Sequence, residues 1–170
     1  MGEGIDTGDV LLSAKTQIDS NETAESLHDR LSVICSELVL QTIEGIENNT
    51  INPVKQNDEL SNYAPILTKE MGHIDFTKTS LETHNLVRGF YPWPSAYFIL
   101  NGKRVKILET RVSDYTGDIP GIVLKSDNKF IVSCGDNTSI ELVKIQPEGS
   151  KPMLAVDYLK GHTLPVGIKI

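Results

Sequence analysis

The segment Gly4-Ile5-Asp6-Thr7-Gly8-Asp9-Val10 is where residue types and spacing first allow chemistry. Its glycines let the backbone turn tightly, and the apolar run Val10-Leu11-Leu12 that follows reads as a buried strand. A carboxylate on such a loop, beside the end of a strand, stands where open α/β sheets place their ligands. Asp9 is therefore a candidate for orienting or moving a proton; its competing reading is a turn residue that caps local backbone. The four histidines supply no partner at a recognisable spacing. His28, His73, His84 and His162 fall in a helix, a linker, a helix and a tail, and read as surface or helix-packing imidazoles. Cys35 and Cys134 stand singly inside apolar segments without a CxxC spacing, so they read as buried thiols and not as metal ligands or a disulfide.

Binding of a polyanion depends on Lys and Arg neutralising phosphates, and the net charge of -7 argues against it for the chain as a whole. The charge is unevenly spread. Residues 1–100 hold six Lys/Arg against fifteen Asp/Glu, whereas residues 101–170 hold ten against eight. Any nucleic-acid face is thus expected as a local patch in the C-terminal part. A hydrophobic fraction of 39% suffices for a core. No run approaches the roughly eighteen apolar residues of a spanning helix, and no basic stretch followed by an apolar one opens the chain. The expectation is a soluble, cytoplasmic protein with no membrane partner.

The elements that must position these residues follow from periodicity. Ser20-Asn21-Glu22-Thr23 supplies helix-capping side chains, and Leu27, Leu31, Ile34, Leu38, Thr42 and Ile46 recur at helical spacing, which predicts a helix over about 23–47. Residues 51–62, with Pro53, Gln56, Asn57 and Asp58, have no period and read as an extended linker. Thr79-Ser80-Leu81-Glu82 is a capping-box arrangement opening a second helix, which must end before Tyr91-Pro92-Trp93-Pro94 because proline lacks an amide hydrogen. Trp93, fixed between two prolines, reads as a packing anchor ahead of a stacking platform for a base. Strand grammar begins at Ala96. Runs 96–100 and 104–109 flank Asn101-Gly102-Lys103, a strong hairpin signal, and further runs follow at 121–125, 129–134 and 139–146. Five short strands at even spacing predict a closed or nearly closed barrel, which would remove exposed edges, and Met153 to Leu159 reads as a short helix upon it.

Taken in order, these segments resemble the C-terminal part of the methionyl-tRNA formyltransferases. The resemblance rests on the opening loop, Tyr63-Ala64-Pro65-Ile66-Leu67-Thr68-Lys69-Glu70, Ile74-Asp75-Phe76 and Arg88-Gly89-Phe90-Tyr91-Pro92-Trp93-Pro94. Asn101-Gly102-Lys103, Pro120-Gly121, Cys134-Gly135-Asp136 and Ile145-Gln146-Pro147-Glu148-Gly149-Ser150-Lys151-Pro152-Met153 complete it. It implies an α/β remnant, the last strand and helix of a Rossmann-like formyltransferase domain, over residues 1–56. A linker and helix over 57–95 and an OB-like tRNA-binding barrel of five to six strands over 96–170 would follow. It also implies 10-formyltetrahydrofolate as the formyl donor of the full enzyme, with none held tightly by this piece. The initiator methionyl-tRNA is the implied partner.

The family's catalytic group is an Asn, a His and an Asp, and Asp9 matches the Asp. The other two belong to a Ser-Leu-Leu-Pro region ahead of this loop that these 170 residues do not contain, so the chain alone is expected to be inactive. For tRNA the resemblance points to Lys69, Arg88, Lys103, Arg104, Lys106 and Lys151. Singly each reads as a solvated cation, but the hairpin crowds three of them, and alternation would put Arg104 and Lys106 on one face. Two further readings stay open: another 10-formyltetrahydrofolate-dependent formyltransferase or hydrolase, and a stand-alone RNA-binding module. A monomer is expected, with self-association through the remnant helix as the alternative. Residues 1–50 are expected to exchange amide hydrogens faster than the barrel.

Overall fold

The computed structural model describes residues 4–170, and the chain divides into two units, Met1–Ile66 and Leu67–Ile170. The first three residues of the expected 1–56 segment lie outside the described residues. In the first unit, α1 (Ala24–Glu47) starts where the capping side chains predict it. The Thr23 hydroxyl accepts from the Ser26 amide (3.2 Å), and the Ser26 hydroxyl accepts from the Thr23 amide (3.0 Å). Arg30 then ties the preceding segment to the helix. Its guanidinium donates to both Glu22 carboxylate oxygens (2.9 and 2.7 Å), to the Gln17 carbonyl (2.7 Å) and to the Thr16 hydroxyl.

The strand expected over Val10-Leu11-Leu12 does not form. Val10 makes a single antiparallel bridge with Val54, the two amides and carbonyls exchanging bonds of 2.9 Å. Beyond that point side-chain bonding replaces the ladder: Gln56 Nε2 donates to the carbonyls of Asp6 (2.9 Å) and Gly8 (2.7 Å). The apolar residues of α1 include half-buried Leu27, Ile34 and Leu38, yet Val33, Val39, Leu40, Ile43 and Ile46 are exposed. Gly45 is the one buried residue of this helix. Cys35, expected to be buried, is also exposed, because apolar residues run most of the way around α1 and few find cover. No helix among the described residues is long and apolar enough to cross a membrane.

The second unit holds the core. After α2 (Ser80–Gly89) come β1 (Ala96–Leu100), β2 (Lys103–Ser113), β3 (Val123–Ser126), β4 (Phe130–Ser133), β5 (Ser139–Pro147), β6 (Met153–Leu154) and α3 (Ala155–Gly161). The expected terminal helix is thus a two-residue strand followed by a helix. All pairings are antiparallel, in the order β1-β2-β5-β4-β3, with β6 beside β5. Alternate strand residues point inward. Phe98, Val105, Ile107, Phe130, Val132, Ile140, Leu142 and Ile145 are almost fully buried, and Val87 of α2 and Leu159 of α3 pack against them.

The expected OB-like barrel does not close: β1 and β3 remain separate edges of an open sheet. Each edge is covered locally. The Ile74 amide donates to the Tyr97 carbonyl on β1 (2.8 Å), and the C-terminal segment pairs with 121–123, Val123 to Ile168 and Gly167 to Val123 among the bonds. Pairing of this kind blunts an edge as closure would, so closure is not required.

Candidate functional site

The Asn101-Gly102 turn has φ of 50° and 75°, both in the left-handed region, as a two-residue hairpin turn requires. That turn fixes the register: Leu100 faces Lys103, Ile99 faces Arg104 and Tyr97 faces Lys106. Since side chains alternate, Arg104 and Lys106 share the outer face of the sheet. There they line a groove of about 540 Å³ together with Ile99, Gln146, Pro147 and Glu148. The Arg104 guanidinium carbon lies 4.0 Å from the centre of the Tyr97 ring, a cation–π contact that holds the side chain over the sheet. The Arg104 amide donates to the Glu148 carboxylate (3.1 Å), and the Glu148 amide donates back to the Arg104 carbonyl (3.0 Å).

Lys69 belongs to the same neighbourhood. The Glu70 carboxyl is held below its usual range, chiefly by its own backbone amide and the Thr68 hydroxyl, with Arg104 and Lys69 adding favourable charge. Gly72, two residues on, has no room for a side chain, because a Cβ there would stand 2.4 Å from the Ser95 carbonyl oxygen. This contact seats the 69–73 turn beside Tyr97. Lys103 points to the other face and lines a separate pocket of about 320 Å³. Lys151 is exposed in the turn after β5, and Arg88, in the last turn of α2, donates from Nε to the Asn85 side-chain oxygen (2.8 Å). The cations expected from the sequence thus divide: Arg104 and Lys106 share the groove, Lys69 adjoins Glu70, whose carboxyl also feels Arg104, while Lys103, Lys151 and Arg88 stand at other points of the unit.

Asp9 is exposed on its loop, and among the described residues its carboxylate makes no hydrogen bond or ion pair. A catalytic carboxylate needs a partner at hydrogen-bond distance, so the loop offers the acidic side chains of Asp6 and Asp9 and, among the described residues, no completed proton relay. His84 is buried, its Nδ1 2.9 Å from the Thr110 hydroxyl, as a packing imidazole. His28, His73 and His162 are exposed. Cys134 is buried as expected, and burial pushes its thiol up to about 11. Among the described residues no cluster of His, Cys, Asp or Glu could hold a metal ion.

One feature was missed in the sequence and one expectation from it is corrected. Tyr97, the platform under Arg104, was legible in principle, since the Asn-Gly turn alone sets it opposite Lys106. Trp93 is 55% exposed and is no packing anchor; the buried Ser95 instead secures the Pro-Trp-Pro segment, donating to the Pro92 carbonyl (2.6 Å).

Residues 66–163 match the family model described as the formyl transferase C-terminal domain. The chain is 42% identical to the methionyl-tRNA formyltransferase of Caldanaerobacter subterraneus subsp. tengcongensis, over 98% of this chain and 54% of that protein. It is 41% identical to the methionyl-tRNA formyltransferase of Clostridioides difficile, over 99% of this chain and 55% of the relative. It therefore spans about half the length of the curated relatives it matches. Among solved structures, an N-formyltransferase from Helicobacter canadensis, crystallised with folinic acid and dTDP-3-aminofucose, superposes with a TM-score of 0.63 at 26% identity, covering 86% of this chain and 53% of that one. The sugar 3N-formyl transferase WlaRD gives a TM-score of 0.64 at 27% identity, covering 89% and 53%.

Proposed function

The chain belongs to the formyl transferase C-terminal domain family, and from that premise we propose that it is the C-terminal part of a methionyl-tRNA formyltransferase. The full enzyme transfers a formyl group from 10-formyltetrahydrofolate to the amino group of methionyl-initiator tRNA. The observation that carries the reading is the identity of about 40% to methionyl-tRNA formyltransferases over nearly the whole chain, against 26–27% to the sugar formyltransferases. The site of action is cytoplasmic, and the protein is a monomer.

Formyl transfer to an amine is acyl transfer. The attacking nitrogen must lose a proton, and the tetrahedral oxyanion needs hydrogen-bond donors. Asp9 contributes the carboxylate that orients a donor or takes up the proton. The carbonyls beside it, of Asp6 and Gly8, each accept one bond from Gln56, which holds the loop that carries it. The chain alone is inactive for want of the Asn and His partners. The second unit holds tRNA: Arg104 and Lys106 neutralise phosphates along the groove, Lys69 extends the same patch, and Lys103, Lys151 and Arg88 add contacts around it. The domain limits at about 56 and 95 mark the catalytic remnant, the crossing segment and the tRNA-binding part.

The test is complementation. The chain is joined to the N-terminal half of the Caldanaerobacter relative, the part of that protein outside the match, and formylation of methionyl-initiator tRNA by 10-formyltetrahydrofolate is measured. Activity in the joined protein, none in the chain alone, and a loss of at least about a hundredfold for Asp9→Asn are expected. A joined protein that formylates a dTDP-amino sugar and not the tRNA would move the chain to the sugar enzymes. A joined, folded protein active on neither would sink the proposal.

A further inference from the structure

The pocket that receives Lys103 is built differently from the groove behind it. Leu100, Val105 and Met153 give it an apolar floor; Lys103 and Ser150 stand at its rim. One wall is a pair of stacked rings, Tyr158 of α3 and His162 just beyond it, with centroids 4.1 Å apart and planes within 7°. His162 is held in that pose by its Nδ1, 3.1 Å from the Tyr158 carbonyl oxygen. Tyr158 packs against the core while His162 is exposed, so the stack has an anchored inner ring and an open outer one.

An outer ring face, an apolar floor and a free-standing cation are the components that recognise one planar base and its phosphate. A volume of about 320 Å³ lies at the small end of ligand pockets, which run from about 300 to 1,000 Å³. That admits a single nucleotide and excludes a duplex. Lys103 has no ion pair among the described residues, so its charge is available to a phosphate. The pocket also shares Pro147 and Glu148 with the Arg104–Lys106 groove, so the two lie back to back across the hairpin turn and the turn after β5.

We propose that this pocket binds one unpaired nucleotide of the tRNA, its base stacked on His162 and its phosphate paired with Lys103, while the adjoining strand runs over the turn to Arg104 and Lys106. The inference rests on the tRNA reading above and shares Lys103 with it, but His162 and Tyr158 belong to the pocket alone. Base stacking is sequence-tolerant, so the pocket adds affinity and position without selecting a base.

The test measures binding of unacylated tRNA to the 170-residue chain by fluorescence anisotropy, with folding of each variant checked by circular dichroism. His162→Ala is expected to weaken binding roughly tenfold at every salt concentration, and His162→Phe, which keeps a ring, to restore most of it. Lys103→Gln should weaken binding and lower the slope of log affinity on log salt by somewhat under one. Competition by uridine and adenosine monophosphates distinguishes a free nucleotide from a nucleotide within RNA. Competition below millimolar concentration would show a mononucleotide site and overturn the proposal. If the wild-type chain binds tRNA and Arg104→Gln weakens it, yet His162→Ala and Lys103→Gln bind as wild type, the pocket proposal fails and the tRNA reading survives. If the wild-type chain shows no salt-dependent binding, the tRNA reading itself fails.

Discussion

Gly135 offers a perturbation whose cost can be worked from contacts. A Cβ added there would stand 2.0 Å from the Thr77 carbonyl oxygen and 2.8 Å from its carbon. Carbon–oxygen contacts rarely close below about 3.3 Å, so the backbone at 77–78 must retreat by more than about 1 Å. That movement breaks the bond from the Gly135 amide to the Lys78 carbonyl (2.7 Å). It also pulls on the start of α2, where the Ser80 amide donates to the Thr138 hydroxyl (2.8 Å) and Thr79 and Glu82 form their capping box. One lost backbone bond with its groups left unpaired, plus a weakened cap, puts the cost of Gly135→Ala at about 3 kcal/mol. A natural domain holds about 5–15 kcal/mol in total, so the variant should fold but unfold at lower urea. Gly149→Ala is the control, because φ is 73° there with nothing within 4 Å, and only the left-handed penalty of about 1–2 kcal/mol applies. Urea titrations followed by fluorescence of Trp93, the single tryptophan and within the same unit, report the difference. A Gly135→Ala cost no larger than that of Gly149→Ala would refute the steric argument.

If the groove carries RNA, replacing Arg104 and Lys106 together by Gln should lower the salt slope of tRNA binding by about 1.5–2, as two phosphate contacts require. Lys129→Gln, whose Nζ is paired with the Glu141 carboxylate (3.0 Å) away from the groove, should leave the slope unchanged. Native-state hydrogen exchange should show faster opening for residues 10–50 than for β1, β2 and β5, and equal protection in both would contradict the thin burial of α1. The Glu82 carboxyl is lowered by the Thr79 backbone amide and then its hydroxyl, and Asp75 is lowered by the Thr77 hydroxyl and then its amide. A depressed folded-state value stabilises above the unfolded value and is lost as pH falls through the folded one, so the second unit should weaken below about pH 4. Glu82→Gln should flatten that decline in urea titrations across pH 2.5–6.

Local signals were legible wherever the chemistry that makes an element lies inside it. The Asn101-Gly102 turn requires two left-handed residues, and the Thr79–Glu82 box needs a hydroxyl and a carboxylate three residues apart, so both could be read from residue types alone. Val10-Leu11-Leu12 shows the limit. An apolar run becomes a strand only when a neighbour offers a ladder, and here the one backbone bridge is followed by Gln56, which takes the next carbonyls with its side chain. Closure of the barrel failed for a related reason. The sequence shows that the edges must be covered, but Ile74 and the segment 167–170 cover them with isolated bonds that carry no strand pattern.

The same division runs through the candidate site. Charge and alternation were enough to put Arg104 and Lys106 on one face, because both facts are local to β2. Tyr97 lies on another strand, and its role under Arg104 appears only after the turn-determined register is carried across the hairpin. Tyr158 and His162 are four apart near the C-terminal end of α3, a spacing that brings side chains together on a helix, yet nothing in that pair alone indicates Lys103 opposite. Chemistry carried by one element can be read from sequence, whereas chemistry assembled from two requires the register that joins them. Asp9 is the extreme case. Its loop is local and recognisable, and the catalytic role proposed for it would depend wholly on what the fold brings to within about 3 Å of its carboxylate.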